Sequence, residues 1–291
     1  MTGFQYHYWN GLLIPYLRIK RDETLWFTPF FGYRHFLFSE QRYCTTCLTP
    51  SEETNWTGWC TSCQGEPFNL QLSCLFTQAG HPFGTPCDPH DHPQCGDESF
   101  CQRYCQAEYV IYWGRLGIYS KVGITRRYLG DAPQGYLSRI MDQGFDEVLV
   151  FEGLTPLSLA WAQQLEQELA RHFKVSTIMG FEDKLQALIH APHSAPSVFN
   201  FQDIGLHIHK VFPELVLLDH VILTQDYWDI LAPQFSEKIP LMNCPITRYP
   251  MVVAGEVMLA RGELVLLKSS SQTFWINLRD LQGRVYYQGE E

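Results

Sequence analysis

The sequence predicts an α+β protein in three parts: an N-terminal β/loop module held by metal ligands, a central β-β-α-β-α core and a C-terminal β-rich module. Three observations predict it. Nine of the ten cysteines lie between positions 44 and 105, in a stretch rich in Gly, Pro, Asp and Ser that lacks regular periodicity. Residues 108–180 alternate short apolar runs with helical patterns. Residues 252–278 return to short strand-like runs. The corresponding domain limits are 1–107, 108–190 and 198–291.

Composition narrows the class. The chain has 291 residues, 45% of them hydrophobic and 18% charged, which supplies buried cores and excludes a disordered chain. Its formal charge is −10, from 21 basic and 31 acidic residues, so non-specific coating of DNA or RNA is disfavoured. The start, MTGFQYHYWNGLLIPYLRIK, lacks the basic, apolar and small-residue succession of a secretory leader. No apolar run is long enough to span a bilayer. The expectation is a cytoplasmic protein without a membrane segment, whose cysteines serve metal ligation rather than disulfides.

In the first module, Leu13–Ile19 and Trp26–Phe31 alternate as strands do. Cys44-Thr-Thr-Cys47 and Cys60-Thr-Ser-Cys63 follow, two CxxC pairs with twelve residues between them. Two thiolates three positions apart in a tight turn can share one ion, and two such turns complete a tetrahedral shell of four sulfurs. With every position filled by protein, no water is left to activate, so the expected zinc is structural. A second group holds Cys74, His81, Cys87, His90, His92, Cys95, Cys101 and Cys105, more ligands than one ion needs. The sequence does not fix which four would hold a second zinc. Cys244, isolated, reads as a buried free thiol.

In the central part, Tyr109–Tyr112 and Val122–Thr125 read as strands joined through a turn at Gly114–Gly117. A short helix is expected at Tyr136–Met141, stopped by Gly144 in the C′ position. Glu147–Phe151 reads as a buried strand, and Thr155-Pro156 introduces a helix from about Leu157 to Phe173. On that helix Leu159, Ala162, Leu165, Leu169 and Phe173 share one face, with Glu166 at its border. A carboxylate there must be a ligand or the partner of a nearby cation such as Arg139. Lys121, Arg126, Arg127 and Arg139 form the one dense basic cluster, either an anion pocket or a solvated rim. Ala191–Ser197 reads as a connector, Glu214–Leu223 is apolar, and Val252–Leu259, Glu263–Lys268 and Thr273–Leu278 read as strands.

These residues carry a resemblance. CxxC pairs, a further Cys/His cluster, Lys121-Val122-Gly123-Ile124-Thr125-Arg126, Arg139-Ile140-Met141-Asp142-Gln143-Gly144 and Asn277-Leu278-Arg279 resemble the family called domain of unknown function 2797. Ile140 stands where that family's pattern has Trp. The resemblance spans roughly residues 40–285. The β-β-α-β-α order is also similar to the GIY-YIG nuclease core. That likeness implies a catalytic set of Tyr109, or Tyr112 in another strand register, with Arg139 and Glu166, and a Mg ion at Glu166. It departs at Lys121-Val122-Gly123, where the second tyrosine of the pattern is missing.

Two functions are therefore expected as alternatives, beside a third, a thiol-based redox sensor, against which stands the poor nucleophilicity of a closed four-cysteine zinc site until the metal leaves. One is a zinc-stabilised protein with a degenerate GIY-YIG-like core that binds or cleaves nucleic-acid phosphodiesters, its anion-binding residues being Lys121, Arg126 and Arg127. The other is a non-catalytic protein that docks a protein partner through zinc modules and aromatics such as Tyr6, Tyr8, Trp9, Trp56 and Trp59.

Overall fold

The structure, a computed structural model, describes residues 3–9, 12–21, 24–51, 59–64, 107–128, 135–190, 201–223, 245 and 252–288. Cys74, His81, Cys87, His90, His92, Cys95, Cys101, Cys105 and Cys244 lie outside them, as do Trp56 and the 191–197 connector. The fold is mixed α and β, with every paired strand in an antiparallel sheet. The chain divides into two compact units: residues 1–65, 141–144 and 223–291 form one, and residues 66–140 and 145–222 the other.

Among its described residues the first unit holds two sheets. β1 (Gly3–Trp9), β2 (Leu12–Arg21) and β3 (Thr24–Pro29) form a three-stranded meander. β4 (Tyr33–Arg42) leaves that meander and enters a five-stranded sheet made otherwise of C-terminal strands. It lies between β9 (Val252–Arg261) and β12 (Arg284–Gln288), while β10 (Leu264–Lys268) and β11 (Thr273–Asn277) complete the sheet beyond β9. Phe36 and Phe38 on β4 are buried, as are Val253, Val257, Val265 and Trp275. Alternation puts Phe36 and Phe38 on one face of β4, while the strands that flank it come from more than 200 positions away. Asn277 ends β11 and accepts the Arg279 N–H at 2.9 Å, capping a 3-10 turn over Leu278–Leu281.

In the second unit, β5 (Tyr109–Leu116), β6 (Tyr119–Arg126), β7 (Glu147–Gly153) and β8 (Leu215–Ile222) pair in the order β6-β5-β7-β8. Leu215–Ile222 therefore pairs with β7 in the central sheet, whereas the sequence places it with the C-terminal module. Among the described residues the helices are α2 (Tyr136–Gln143), α3 (Leu159–Phe173), α4 (Phe181–His190) and α5 (Phe201–Val211); α1, in the first unit, is a single turn at Thr61–Gln64. Ile111, Trp113, Leu149 and Phe151 form one core with Ala162, Leu165 and Leu169 of α3 and Ile208 of α5. α3 starts at Leu159 rather than Leu157. Ser158 is its N-cap, accepting the Trp161 N–H, while Leu157 O accepts the Tyr109 N–H at 2.9 Å. Among the described residues no helix is long and apolar enough to cross a membrane.

The expected turn at Gly114–Gly117 is shorter. β5 runs through Gly114 to Leu116, and only Gly117, with φ +56°, and Ile118 connect it to β6. Gly114 is a glycine of close approach: a Cβ there would stand 2.5 Å from Cε2 of Phe145. Gly114→Ala is expected to lower unfolding stability by about 1–3 kcal/mol, the usual cost of overpacking a filled core, read as a shift in urea midpoint.

Candidate metal centre and phosphate site

The first CxxC pair grows out of the end of β4. The Tyr43 N–H donates to Gly283 O at 2.6 Å, the Cys44 N–H to Thr49 O at 2.9 Å and the Leu48 N–H back to Cys44 O at 3.0 Å. Leu48 closes this turn in the left-handed region, with φ +60°. The second pair is carried by α1, where Gln64 N–H donates to Cys60 O at 3.0 Å. Trp59, offered by the sequence as a surface aromatic, is instead buried at 8% exposure beside it.

These two turns place the sulfur atoms of Cys44, Cys47, Cys60 and Cys63 within 4.8 Å of one another. Sulfurs at about 2.3 Å from a tetrahedral ion stand about 3.8 Å apart. The Cys47 and Cys60 Sγ atoms are separated by 3.8 Å. The donor set is soft and complete, so the geometry and the chemistry both fit zinc. Cys44 Sγ accepts N–H groups of Thr46 and Cys60, each at 3.4 Å, and Cys47 Sγ lies 3.1 Å from the Thr49 hydroxyl. The Thr49 hydroxyl, with its own backbone N–H, lowers the Cys47 thiol to about 6. Cys44 is also lowered: burial opposes the shift, and the N–H groups of Cys60, Cys47 and Thr46 outweigh it. Burial, followed by the neighbouring sulfurs, raises Cys63. Three of the four sulfurs thus meet either stabilising donors or a crowd of like groups that a divalent cation would neutralise.

The second cluster of side chains lies around Tyr112. β5 and β6 are in register with Tyr112 opposite Gly123 and Gly114 opposite Lys121. Alternation puts Tyr112, Gly123 and Lys121 on one face and Tyr109, Ile111, Trp113 and Val122 on the other. The Tyr112 ring packs on Phe145 at 5.9 Å, and a Cβ on Gly123 would stand 2.3 Å from the Tyr112 hydroxyl. Burial raises Tyr112 to about 12, with the Arg139 guanidinium lowering it and the Glu166 carboxylate raising it. Its hydroxyl therefore lies within the fields of both. Arg139 is exposed on α2, Glu166 is buried on α3 at 5% and Lys121 is buried at 9%. The Tyr136 hydroxyl donates to Asp219 Oδ2 at 2.9 Å, tying the start of α2 to β8.

Other expected site residues are placed elsewhere. Tyr109 belongs to the opposite face and lines a pocket with Glu108, Arg127, Tyr128 and Glu152. Arg127 there is ion-paired to Glu152 and to Glu108, the latter at 3.7 Å. Arg126 alternates onto the Val122 face of β6, away from Lys121. The sequence missed the cross-strand cluster in which Glu147 accepts Arg115 Nη2 at 2.5 Å and holds His220 Nε2 at 2.7 Å. Its only sequence signal, a charged residue at the start of an apolar strand, is too common to single it out.

Fold and site together define a zinc-binding protein, one with a four-cysteine cluster of zinc-binding geometry. Comparison with family models, with curated proteins and with solved structures finds no match for this chain.

Cys44→Ser removes a buried ligand that also receives two N–H groups. The variant is expected to lose one equivalent of zinc by elemental analysis and to melt lower, or to be recovered only as aggregate. Tyr112 carries a pH prediction. Its folded pKa, about 12, exceeds the unfolded value of roughly 10, so its stabilisation is complete below pH 10 and is lost as pH rises toward 12. Tyr112→Phe should flatten the loss of stability measured by urea unfolding across that alkaline window.

Proposed function

We propose that this chain belongs with the domain of unknown function 2797 family and is a zinc-stapled protein whose central unit is a degenerate GIY-YIG-like core that binds nucleic-acid phosphodiesters. The observation that carries the reading is electrostatic: the buried Tyr112 hydroxyl lies in the fields of both Arg139 and Glu166. The β-β-α-β-α order of residues 109–173 supports it. In this reading Tyr112, rather than Tyr109, is the tyrosine of the first strand. Arg139 is the phosphate ligand, because an exposed guanidinium offers a planar fork of donors. Lys121 adds positive charge from the same sheet face. Glu166 is the group that would hold a divalent ion such as Mg, and cleavage would require that ion to neutralise charge developing on the phosphate. A second zinc in residues 74–105 belongs to the same proposal.

The zinc staple is structural here, since four thiolates leave no open position for water. Arg139→Ala should weaken binding of a fluorescent branched or single-stranded DNA or RNA by at least about tenfold, the scale of one charge-assisted phosphate contact. Glu166→Gln should abolish any Mg-dependent cleavage while leaving the zinc content unchanged. Equal binding by wild type and Arg139→Ala would refute the site. A second reading, docking of a protein partner, is favoured by Leu25, Trp26 and Phe27, consecutive on the edge strand β3 and exposed at 52%, 58% and 45%. Failure of the wild-type protein to bind any of these nucleic acids would favour that reading.

A further inference from the structure

The four sulfurs of the metal centre are not equivalent. Cys44 and Cys63 are buried, Cys60 is partly covered and Cys47 is exposed. Cys44 Sγ is pinned by two backbone N–H groups, whereas the partner of Cys47 is the hydroxyl of Thr49, itself exposed. The sulfur nearest to solvent also faces the other partly accessible one: Cys47 and Cys60 lie 3.8 Å apart and belong to different CxxC pairs. A disulfide needs a separation of about 2.05 Å, so an approach of roughly 1.8 Å would join them.

We propose that Cys47 is a peroxide-sensitive modification site and that its oxidation gives a Cys47–Cys60 disulfide with release of the zinc. The Cys47 sulfur attacks one oxygen of hydrogen peroxide. The O–O bond breaks, the second oxygen leaves as water after taking a proton, and Cys47 becomes the sulfenic acid. The Cys60 sulfur then attacks the Cys47 sulfur, an S–S bond forms, and the sulfenic oxygen departs as a second water. In sum, two thiols and one peroxide yield one disulfide and two waters; sulfur is oxidised and the peroxide oxygens are reduced. Two of the four ligands are consumed, and Cys44 with Cys63 alone do not make a closed zinc shell. The new bond still joins the turn after β4 to α1, so the crosslink between these segments outlives the metal. The exposed position is thus both the point of attack and the one from which a replacement crosslink can form.

The test treats the zinc-loaded full chain with stoichiometric hydrogen peroxide, follows zinc with a chromogenic chelator and maps disulfides by peptide mass spectrometry. The Cys47–Cys60 disulfide should accumulate in step with one equivalent of released zinc, and dithiothreitol with added zinc should reverse both. Limiting iodoacetamide should label Cys47 before the other three. In Cys47→His, which keeps four ligands of types zinc accepts, release from this site should slow by about tenfold or more. A Cys44–Cys47 or Cys60–Cys63 disulfide, or first alkylation at Cys60, would overturn the proposal. Should Cys47→His fail to fold, the wild-type peptide map alone decides.

Discussion

Four sulfur atoms gathered within 4.8 Å are the constraint on which the N-terminal part of the chain depends. A turn and one turn of helix have little apolar surface with which to hold each other. Thiols packed this closely do not cohere by themselves, and the raised Cys63 thiol reports the opposing tendency of burial and like neighbours. A divalent cation reverses the sign, making each sulfur an attractive partner of one central charge. Metal binding then becomes folding free energy for these segments. The site is also anchored in the sheet, since Tyr43 bonds Gly283 and Arg284 Nη1 donates to Ser39 O at 2.7 Å across β4 and β12. The metal centre thus continues a β-sheet instead of standing alone in a loop.

The second constraint is a strand register. Because side chains alternate along a strand, pairing Tyr112 with Gly123 puts Tyr112 on the face of Lys121 and away from Tyr109. Gly123 leaves the space that the Tyr112 hydroxyl fills, and Gly114 leaves the space for Phe145. Both glycines serve packing within the sheet. Their absence of side chains lets a phenol be buried completely beside charged groups, which is why its proton is held so far above neutrality.

Much of this was legible in the sequence, and the misses have physical causes. Paired CxxC motifs encode their chemistry locally, so the metal centre could be read from spacing alone. The helix at 159–173 and the stop at Gly144, where φ is +77°, are likewise local signals. Sheet partners are not local. Nothing within residues 33–42 tells that β9 and β12 flank them, and nothing in 215–222 tells that β7 is the neighbour. The choice between Tyr109 and Tyr112 is a register question, and both residues sit in an apolar run where period alone does not decide. Gly114 misled for a related reason: glycine marks turns and close approaches alike.

The two CxxC turns are held together by the metal. Zinc-edge X-ray absorption on the purified full chain measures it most directly. A sulfur-dominated first shell at about 2.3 Å is the result the four-cysteine centre requires. A folded protein without zinc, or a zinc shell made only of nitrogen and oxygen, would contradict it.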